Sequence, residues 1–146
     1  MFLTGWGVRM KVYVKELTLS THRKYQLIDI TYEVENIVKE SGIRNGLCLV
    51  FVPHATAAIV ANEHERGLME DILRKIKEEF PENGKWQHNI IDDNAHAHLA
   101  SAFIGADRVF PVINGKLVRG TWQNIFLVEM DGPRGYRRVM IEVIGE

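Results

Sequence analysis

The C-terminal part of the chain constrains the fold most, because it reads as strand segments joined by turns too short to hold a helix. The stretches RVFPVINGKLVRG, QNIFLVEM and YRRVMIEVIG are rich in β-branched and aromatic residues. Asn114-Gly115 lies between apolar residues and predicts a type I′ hairpin, whose two central residues need positive φ. We predict DGPRG as the turn between the last two strands. Strands joined by such tight turns pair antiparallel, since a parallel pair needs a long crossover.

The N-terminal half mixes strand and helix periods. MKVYVKELTLS and YQLIDI alternate apolar with polar residues, and we predict that they pair with each other around THRK. TYEVENIVKESG has helical spacing, with Thr31 as a plausible N-cap and Gly42 as the C-terminal stop. GLCLVFVP is apolar throughout, which predicts a strand buried on both faces, and we expect TAAIVAN beside it.

The strongest helix signal is EHERGLMEDILRKIKEEFP, where apolar residues recur at helical spacing until Pro81 ends the helix. DDNAHAHLASAFIG predicts a second, shorter helix. The predicted order is therefore ββαββα, a short helix and ββββ. We predict a single α+β domain over residues 10–146, built from a mainly antiparallel β-sheet with packed helices. Residues 1–9 are predicted to form an N-terminal extension.

Charge and composition limit the partners of this chain of 146 residues. The formal net charge of −1 gives no electrostatic reason to expect a nucleic acid or an acidic membrane as partner. No apolar run approaches the roughly 18 residues of a membrane-spanning helix. The only cysteine, Cys48, lies in the apolar run LCLVFV, so we predict a buried core thiol, no internal disulfide and a cytoplasmic location.

The stretch HNIIDDNAHAHLASAF holds three of the six histidines, His88, His96 and His98. Neutral imidazoles and carboxylates bind zinc, and three protein ligands with one water form a catalytic zinc site. We predict these histidines as ligands of a divalent metal, with zinc as the expected ion; a purely structural role is the alternative. Residues two apart point about 200° apart on a helix, so His96 and His98 cannot both reach one metal from a regular helix.

Three other polar segments are candidates for a site. His54, in PHATA, follows the predicted buried strand, where a histidine either lines a cleft or caps a loop. Glu63, in NEHE, lies where a carboxylate either serves a site or favours a helix N-terminus through the helix dipole. Arg137 shares one face of its predicted strand with Val139 and Ile141. An arginine on an apolar face needs an anion or a carboxylate partner, so Arg137 either binds phosphate or lies at a solvated edge.

Three separated segments, PHATAAIVANEHE, HNIIDDNAHAHL and GTWQNIFLVEMDGPRGYRRVMIEVIGE, together resemble the YjbQ family, also called UPF0047. The resemblance runs from about Met10 to Glu146, and Gly120-Thr121-Trp122-Gln123 is its characteristic segment. The family's histidine-threonine-serine or histidine-threonine-threonine string is His54-Ala55-Thr56 here. Its NEN string is Asn62-Glu63-His64, which places an extra histidine beside the glutamate.

The resemblance implies a small α+β protein that forms a homotrimer and has a weak thiamine-phosphate synthase activity. It supports a site to which several of the polar segments contribute. The predicted catalytic residues are His54, Glu63, His88 and His96. The predicted substrate contacts come from Thr56, Asn94, Trp122, Gln123, Arg134 and Arg137. We expect His54, Glu63, His88 and at least one of His96 and His98 to meet in one pocket.

Three functions fit these residues. The first is a transferase that joins a hydroxymethylpyrimidine diphosphate to a thiazole phosphate, as the resemblance implies; its arginines would stabilise the leaving diphosphate. The second is a metal-dependent hydrolase of a small phosphorylated metabolite, with Glu63 as general base. The third is a non-enzymatic trimeric module that binds a small anionic metabolite.

Overall fold

The structure, a computed structural model, describes residues 9–146. The predicted order of elements is confirmed, with a short 3₁₀ helix, Gln87–Ile90, added before the last helix. The strands are Lys11–Leu19 (β1), Gln26–Asp29 (β2), Gly46–Phe51 (β3), Ala57–Asn62 (β4), Asp107–Ile113 (β5), Lys116–Leu117 (β6), Asn124–Glu129 (β7) and Arg137–Gly145 (β8). The helices are Thr31–Ser41 (α1), Arg66–Glu79 (α2) and Ala95–Ile104 (α3). The predicted extension, residues 1–9, lies outside the described residues except for Arg9.

The strands form two antiparallel sheets. Sheet A has the order β1-β8-β3-β5-β6, and sheet B has the order β2-β7-β4. The predicted hairpin between β5 and β6 is confirmed, since Asn114 and Gly115 have φ of 53° and 76°. The α+β class is confirmed as well, and the antiparallel pairing extends to every strand pair among the described residues.

Three predicted neighbours are wrong. β1 pairs with β8 over nine residues, from Lys11↔Gly145 to Leu19↔Arg137, whereas β2 offers only four residues and pairs with β7. The strand β4 joins β7 in sheet B instead of lying beside β3. The segment DGPRG carries the chain from sheet B to sheet A and is not a hairpin turn. The number of residues that two strands can pair therefore decides which strands are neighbours, rather than their closeness along the chain.

The core has two layers, one on each face of sheet B. Between the sheets, α1 packs with Cys48, Val50 and Leu127, and burial raises the pKa of the Cys48 thiol to about 12. On the other face of sheet B, Phe126 and Val128 pack against α2 and α3. Strand β7 is therefore buried on both faces, as its continuous apolar sequence requires.

The outer face of sheet A is apolar, and no helix of residues 9–146 covers it. Val14, Leu47, Val109 and Ile144 are each at least 40% exposed on it. The prediction that β3 is buried on both faces is thus wrong within one chain: Cys48 and Val50 are buried, but Leu47 is not. Within residues 9–146, no helix combines the length and the apolar character needed to cross a membrane.

Candidate functional site

Polar side chains gather at one end of the two sheets, where β1 and β7 end and β4 and β8 begin. The register places Glu129 opposite Ala57, and Arg137 opposite Leu19. Antiparallel pairing therefore brings the segment His54-Ala55-Thr56, which precedes β4, to the same end as Glu129. We call Arg134, Arg137 and Arg138 at this end the arginine cluster.

A buried ion pair between Arg137 and Glu129 joins the two sheets. The side chains are 5% and 0% exposed, and Arg137 Nε donates to Glu129 Oε1 at 3.0 Å while Nη2 donates to Oε2. Arg137 Nη2 also donates to Thr56 Oγ1, and Thr21 Oγ1 donates to Glu129 Oε1. Burial alone would raise the pKa of Glu129, but hydrogen bonds from Arg137 and Thr21 outweigh burial and hold this pKa below its usual range.

The sequence argument that Arg137 needs an anionic partner is therefore confirmed, but the partner is a carboxylate of the protein. Glu129 continues the inward face of β7 that carries Ile125 and Leu127. A glutamate in line with apolar residues of a predicted buried strand is the sequence signal that would have identified Glu129 as the partner of Arg137. The contacts with Glu129 and Thr56 use Nε and Nη2 of Arg137, which leaves Nη1 as the nitrogen for any ligand.

His54 lies next to the arginine cluster in a defined tautomer. Its Nε2 accepts a hydrogen bond from the backbone N–H of Arg138 at 2.9 Å, so in the neutral ring the proton is on Nδ1. Burial, and then the charges of Arg137, Arg138 and Arg134, lower the pKa of His54, and Glu129 offsets only part of this effect. At neutral pH His54 is therefore uncharged and has one N–H to donate.

A chain of hydrogen bonds connects the arginine cluster to His88. Arg134 donates from its backbone N to Thr21 Oγ1 and from Nη2 to Asp131 Oδ2. Asn94, just before α3, donates to the same Asp131 oxygen at 3.0 Å, and its Oδ1 contacts His88 Nε2 at 3.1 Å. The structure thus unites six predicted site residues in one network or beside it: His54, Thr56, His88, Asn94, Arg134 and Arg137. Sequence reasoning missed Thr21, Glu129 and Asp131, which connect them.

The three histidines predicted as metal ligands do not meet in one place. His88 and His98 form an edge-to-face pair with ring centroids 4.8 Å apart, beside a pocket of about 390 Å³. His96 is 1% exposed, and its Nε2 lies 3.8 Å from Glu82 Oε1, a contact that neither His88 nor His98 shares. Helix α3 separates His96 from His98 in the way that its period requires.

A zinc site needs three protein ligands or more, and residues 9–146 of one chain do not bring them together. Among residues 9–146, no three His, Cys, Asp or Glu side chains gather in a way that could hold a metal ion. His88 and His98 provide two imidazoles at most, so the residues do not fit zinc within one chain. The zinc prediction has not been tested and stays a prediction.

The remaining predicted residues lie at the opposite end of sheet B. Asn62 is opposite Asn124 in the register, so Glu63, Trp122 and Gln123 are separated from His54 by the length of β4, which is roughly 17–20 Å for six residues. Gln123 Oε1 accepts the backbone N–H of Gly120, and Trp122 is 69% exposed. Within one chain, Glu63 therefore does not meet His54 in a common pocket.

Comparisons with known proteins agree with this fold. The family model described as UPF0047 protein YjbQ-like matches residues 15–146. A UPF0047 protein of Methanothermobacter thermautotrophicus is 46% identical over 140 residues, covering 96% of this chain and 97% of that protein. The UPF0047 protein YugU of Bacillus subtilis is 38% identical, covering 90% and 99%.

Solved structures give the same result. The crystal structure of a YbjQ-like protein of unknown function from Sulfolobus solfataricus is 65% identical with a TM-score of 0.94, and the alignment covers 94% of this chain and 100% of that one. A hypothetical protein from Aeropyrum pernix is 48% identical with a TM-score of 0.88, covering 92% and 99%. The chain belongs to the YjbQ-like UPF0047 family.

Proposed function

We propose that the chain is an enzyme for a small phosphorylated metabolite, whose phosphate binds at the arginine cluster. The observation that carries this proposal is the hydrogen bond that holds His54 Nε2 on the backbone N–H of Arg138, within the segment that carries the arginine cluster. Burial, and then the charges of the cluster, lower the pKa of His54. Arg134 and Arg138 are 48% and 39% exposed, so a ligand can reach them. Phosphate oxygens are strong acceptors for arginine and for the Nδ1–H of a neutral histidine.

The chemistry that suits this arrangement is displacement of a phosphate or diphosphate leaving group. Such a step needs stabilisation of the charge that develops on the leaving group, and arginine supplies it. His54 would donate its Nδ1–H hydrogen bond to a leaving-group oxygen. The family resemblance suggests the specific reaction: joining a hydroxymethylpyrimidine diphosphate to a thiazole phosphate with release of diphosphate.

The hydrolase alternative needs Glu63 as general base. Within one chain, Glu63 lies at the other end of β4 from His54 and the arginine cluster, so it does not reach this site. A non-enzymatic anion-binding module keeps the same arginine cluster and differs only in the absence of turnover. A cytoplasmic location also stays a prediction from sequence.

We further propose that the protein is a homotrimer, as the resemblance implies. The uncovered apolar face of sheet A supports association of copies, because burial of apolar side chains such as Leu47 and Val109 lowers the free energy of the assembly. The number three comes from the family resemblance.

The test measures pyrophosphate binding by calorimetry and thiamine phosphate formation by chromatography. The variants are Arg134→Gln, Arg138→Gln and His54→Gln, with Arg44→Gln on an exposed loop as the matched control. We expect each of the two arginine variants to weaken pyrophosphate binding about tenfold, which corresponds to about 1.4 kcal/mol. Arg138→Gln keeps the backbone N–H that fixes His54, so its effect reports the side chain alone.

The proposed enzyme fails if pyrophosphate does not bind, or if the three site variants bind it as the wild type and the Arg44→Gln control do. If pyrophosphate binding depends on the arginine cluster but no thiamine phosphate forms and no diphosphate substrate is hydrolysed, the protein is the non-enzymatic binding module and not an enzyme. Normal circular dichroism of each variant is required for its result to count.

A further inference from the structure

A second centre lies on the helix-covered face of sheet B, away from the arginine cluster. Asp29 is the last residue of β2, and both of its carboxylate oxygens are held by the protein. Oδ1 accepts from the backbone N and from the Oγ1 of Thr31, at 2.9 and 2.5 Å, and Oδ2 accepts from Asn124 Nδ2 at 2.7 Å. Burial would raise the pKa of Asp29, but the hydrogen bonds from Thr31, His64 and Asn124 outweigh it and lower the pKa. Asp29 is therefore a fixed carboxylate.

This carboxylate orients His64. Nδ1 of His64 lies 2.5 Å from Asp29 Oδ2, and an ionised carboxylate only accepts, so Nδ1 carries the proton. The ring also contacts Phe126, with centroids 5.5 Å apart and planes at 52°. The His64 side chain is 51% exposed. The lone pair of the neutral ring is thus on Nε2, on the side of the ring away from Asp29.

His64 borders a groove of about 520 Å³ between β2 and α2. Leu27, Met69 and Leu73 give this groove an apolar lining, and Arg23 and Arg66 add two positive charges. Glu70 is the one carboxylate in the lining and lies 3.4 Å from Arg66 Nε in a well-exposed pair. A small molecule with an apolar body and one anionic group matches this combination of surfaces.

We propose that the Asp29–His64 pair is a general-base centre that hydrolyses small anionic esters bound in this groove. His64 Nε2 takes a proton from a water molecule while the water oxygen bonds to the acyl carbon. When the tetrahedral intermediate collapses, the C–O bond to the alcohol breaks and the protonated Nε2 returns the proton to the leaving oxygen. The ester and water thus become a carboxylic acid and an alcohol, and Asp29 stabilises the transient imidazolium as the acid does in a catalytic triad.

The test uses 4-acetoxybenzoate as an anionic ester and phenyl acetate as its neutral counterpart, with the complete protein. His64→Gln is compared with His22→Gln, which changes an exposed histidine that has no carboxylate contact among the described residues. We expect His64→Gln to lower protein-dependent hydrolysis of 4-acetoxybenzoate at least about tenfold, whereas His22→Gln leaves it unchanged. Arg66→Gln should slow hydrolysis of the anionic ester more than that of phenyl acetate.

A second measurement is independent of turnover. ¹⁵N NMR of the imidazole rings should show that neutral His64 carries its proton on Nδ1, and Asp29→Asn should weaken that preference. The proposal is overturned if His64→Gln and His22→Gln hydrolyse the ester at the same rate, or if neutral His64 is protonated on Nε2. Neither result bears on pyrophosphate binding at the arginine cluster.

Discussion

Arg137 and Glu129 place two full charges beside apolar neighbours such as Val139 and Leu127. Removing two ions from water costs several kcal/mol each, and the pair offsets this cost through its two hydrogen bonds and the further hydrogen bonds to Glu129. Glu129 also accepts hydrogen bonds from the Thr21 hydroxyl and from the backbone N–H groups of Met130 and Asp131. The stability of this end of the molecule therefore depends on both partners.

Arg137→Leu leaves Glu129 buried without its counter-charge, and we expect it to lower the free energy of unfolding by about 3–5 kcal/mol. Arg138→Leu is the matched control: Arg138 is partly exposed and lies 3.6 Å from Glu16, so we expect a loss below about 1 kcal/mol. Urea denaturation measures both. Equal losses in the two variants would contradict the structural role given to the pair.

Stability should also depend on acid pH through Glu129. Its pKa is lowered in the folded protein, so the unfolded chain takes up this proton at higher pH than the folded chain does. The contribution of the pair is fully present above the ordinary glutamate pKa of about 4.3 and is lost as pH falls through the folded value. We expect the melting temperature to fall steeply below about pH 4. In the double variant Glu129→Leu/Arg137→Met, the melting temperature should fall less steeply with decreasing pH. If its pH dependence equals that of the wild type, Glu129 is not a source of the acid sensitivity.

At the scale of elements, sequence reasoning succeeded where the signal is local. The turn at Asn114-Gly115 follows from the φ values that its residues adopt easily, and the end of α1 at Gly42 follows from its left-handed φ of 67°. Thr31, in contrast, is the first helical residue and uses its hydroxyl to bind Asp29 and the backbone of Ile125, so the predicted N-cap is wrong. Hydrogen bonds to Asp29 and to the distant Ile125 decide the role of Thr31, and the sequence around Thr31 does not predict the contact with Ile125.

Gly42 permits a test of this local rule with a close control. An added Cβ would meet no atom within 4 Å at either Gly42 or Gly135, but only Gly42 has positive φ. We expect Gly42→Ala to destabilise the protein by about 1 kcal/mol, because a left-handed conformation is costly for alanine. Gly135→Ala should cost nothing or stabilise slightly. Equal shifts of the two urea midpoints would show that α1 does not depend on this C-cap.

At the scale of the whole molecule, the packing of two sheets and three helices buries the apolar faces of residues 9–146, except the outer face of sheet A. Strand β4 lies between His54 and Glu63 along the chain, so it holds these two predicted site residues at opposite ends of sheet B. The sequence motifs do not show that β1 pairs with β8 and β2 with β7, because each pairing depends on which strands compete best for a partner. The sequence therefore identified polar site residues such as His54 and Arg137, but it did not show that Glu129 and Asp131 connect them.

The uncovered face of sheet A predicts how the assembly responds to mutation. Light scattering should give three times the 16.7 kDa chain mass for the wild type. Val109→Glu places a charge on this face and should produce smaller species, whereas Ile90→Glu, at a residue 80% exposed outside the sheets, should not. A wild-type mass of one chain at micromolar concentration would refute the homotrimer. Dissociation by Ile90→Glu alone would place the interface elsewhere.

The ion pair that joins the two sheets also affects how a genetic experiment on this protein should be interpreted. A cell that carries an Arg137 substitution would hold more unfolded chain. Proteases would then reduce the amount of protein severalfold, even if the free energy of unfolding fell by only about 1–2 kcal/mol. A growth defect would then report the abundance of the protein and not its chemistry. The Arg134 side chain is half exposed and pairs with Asp131, so Arg134 is the position where loss of function in vivo can be attributed to the site.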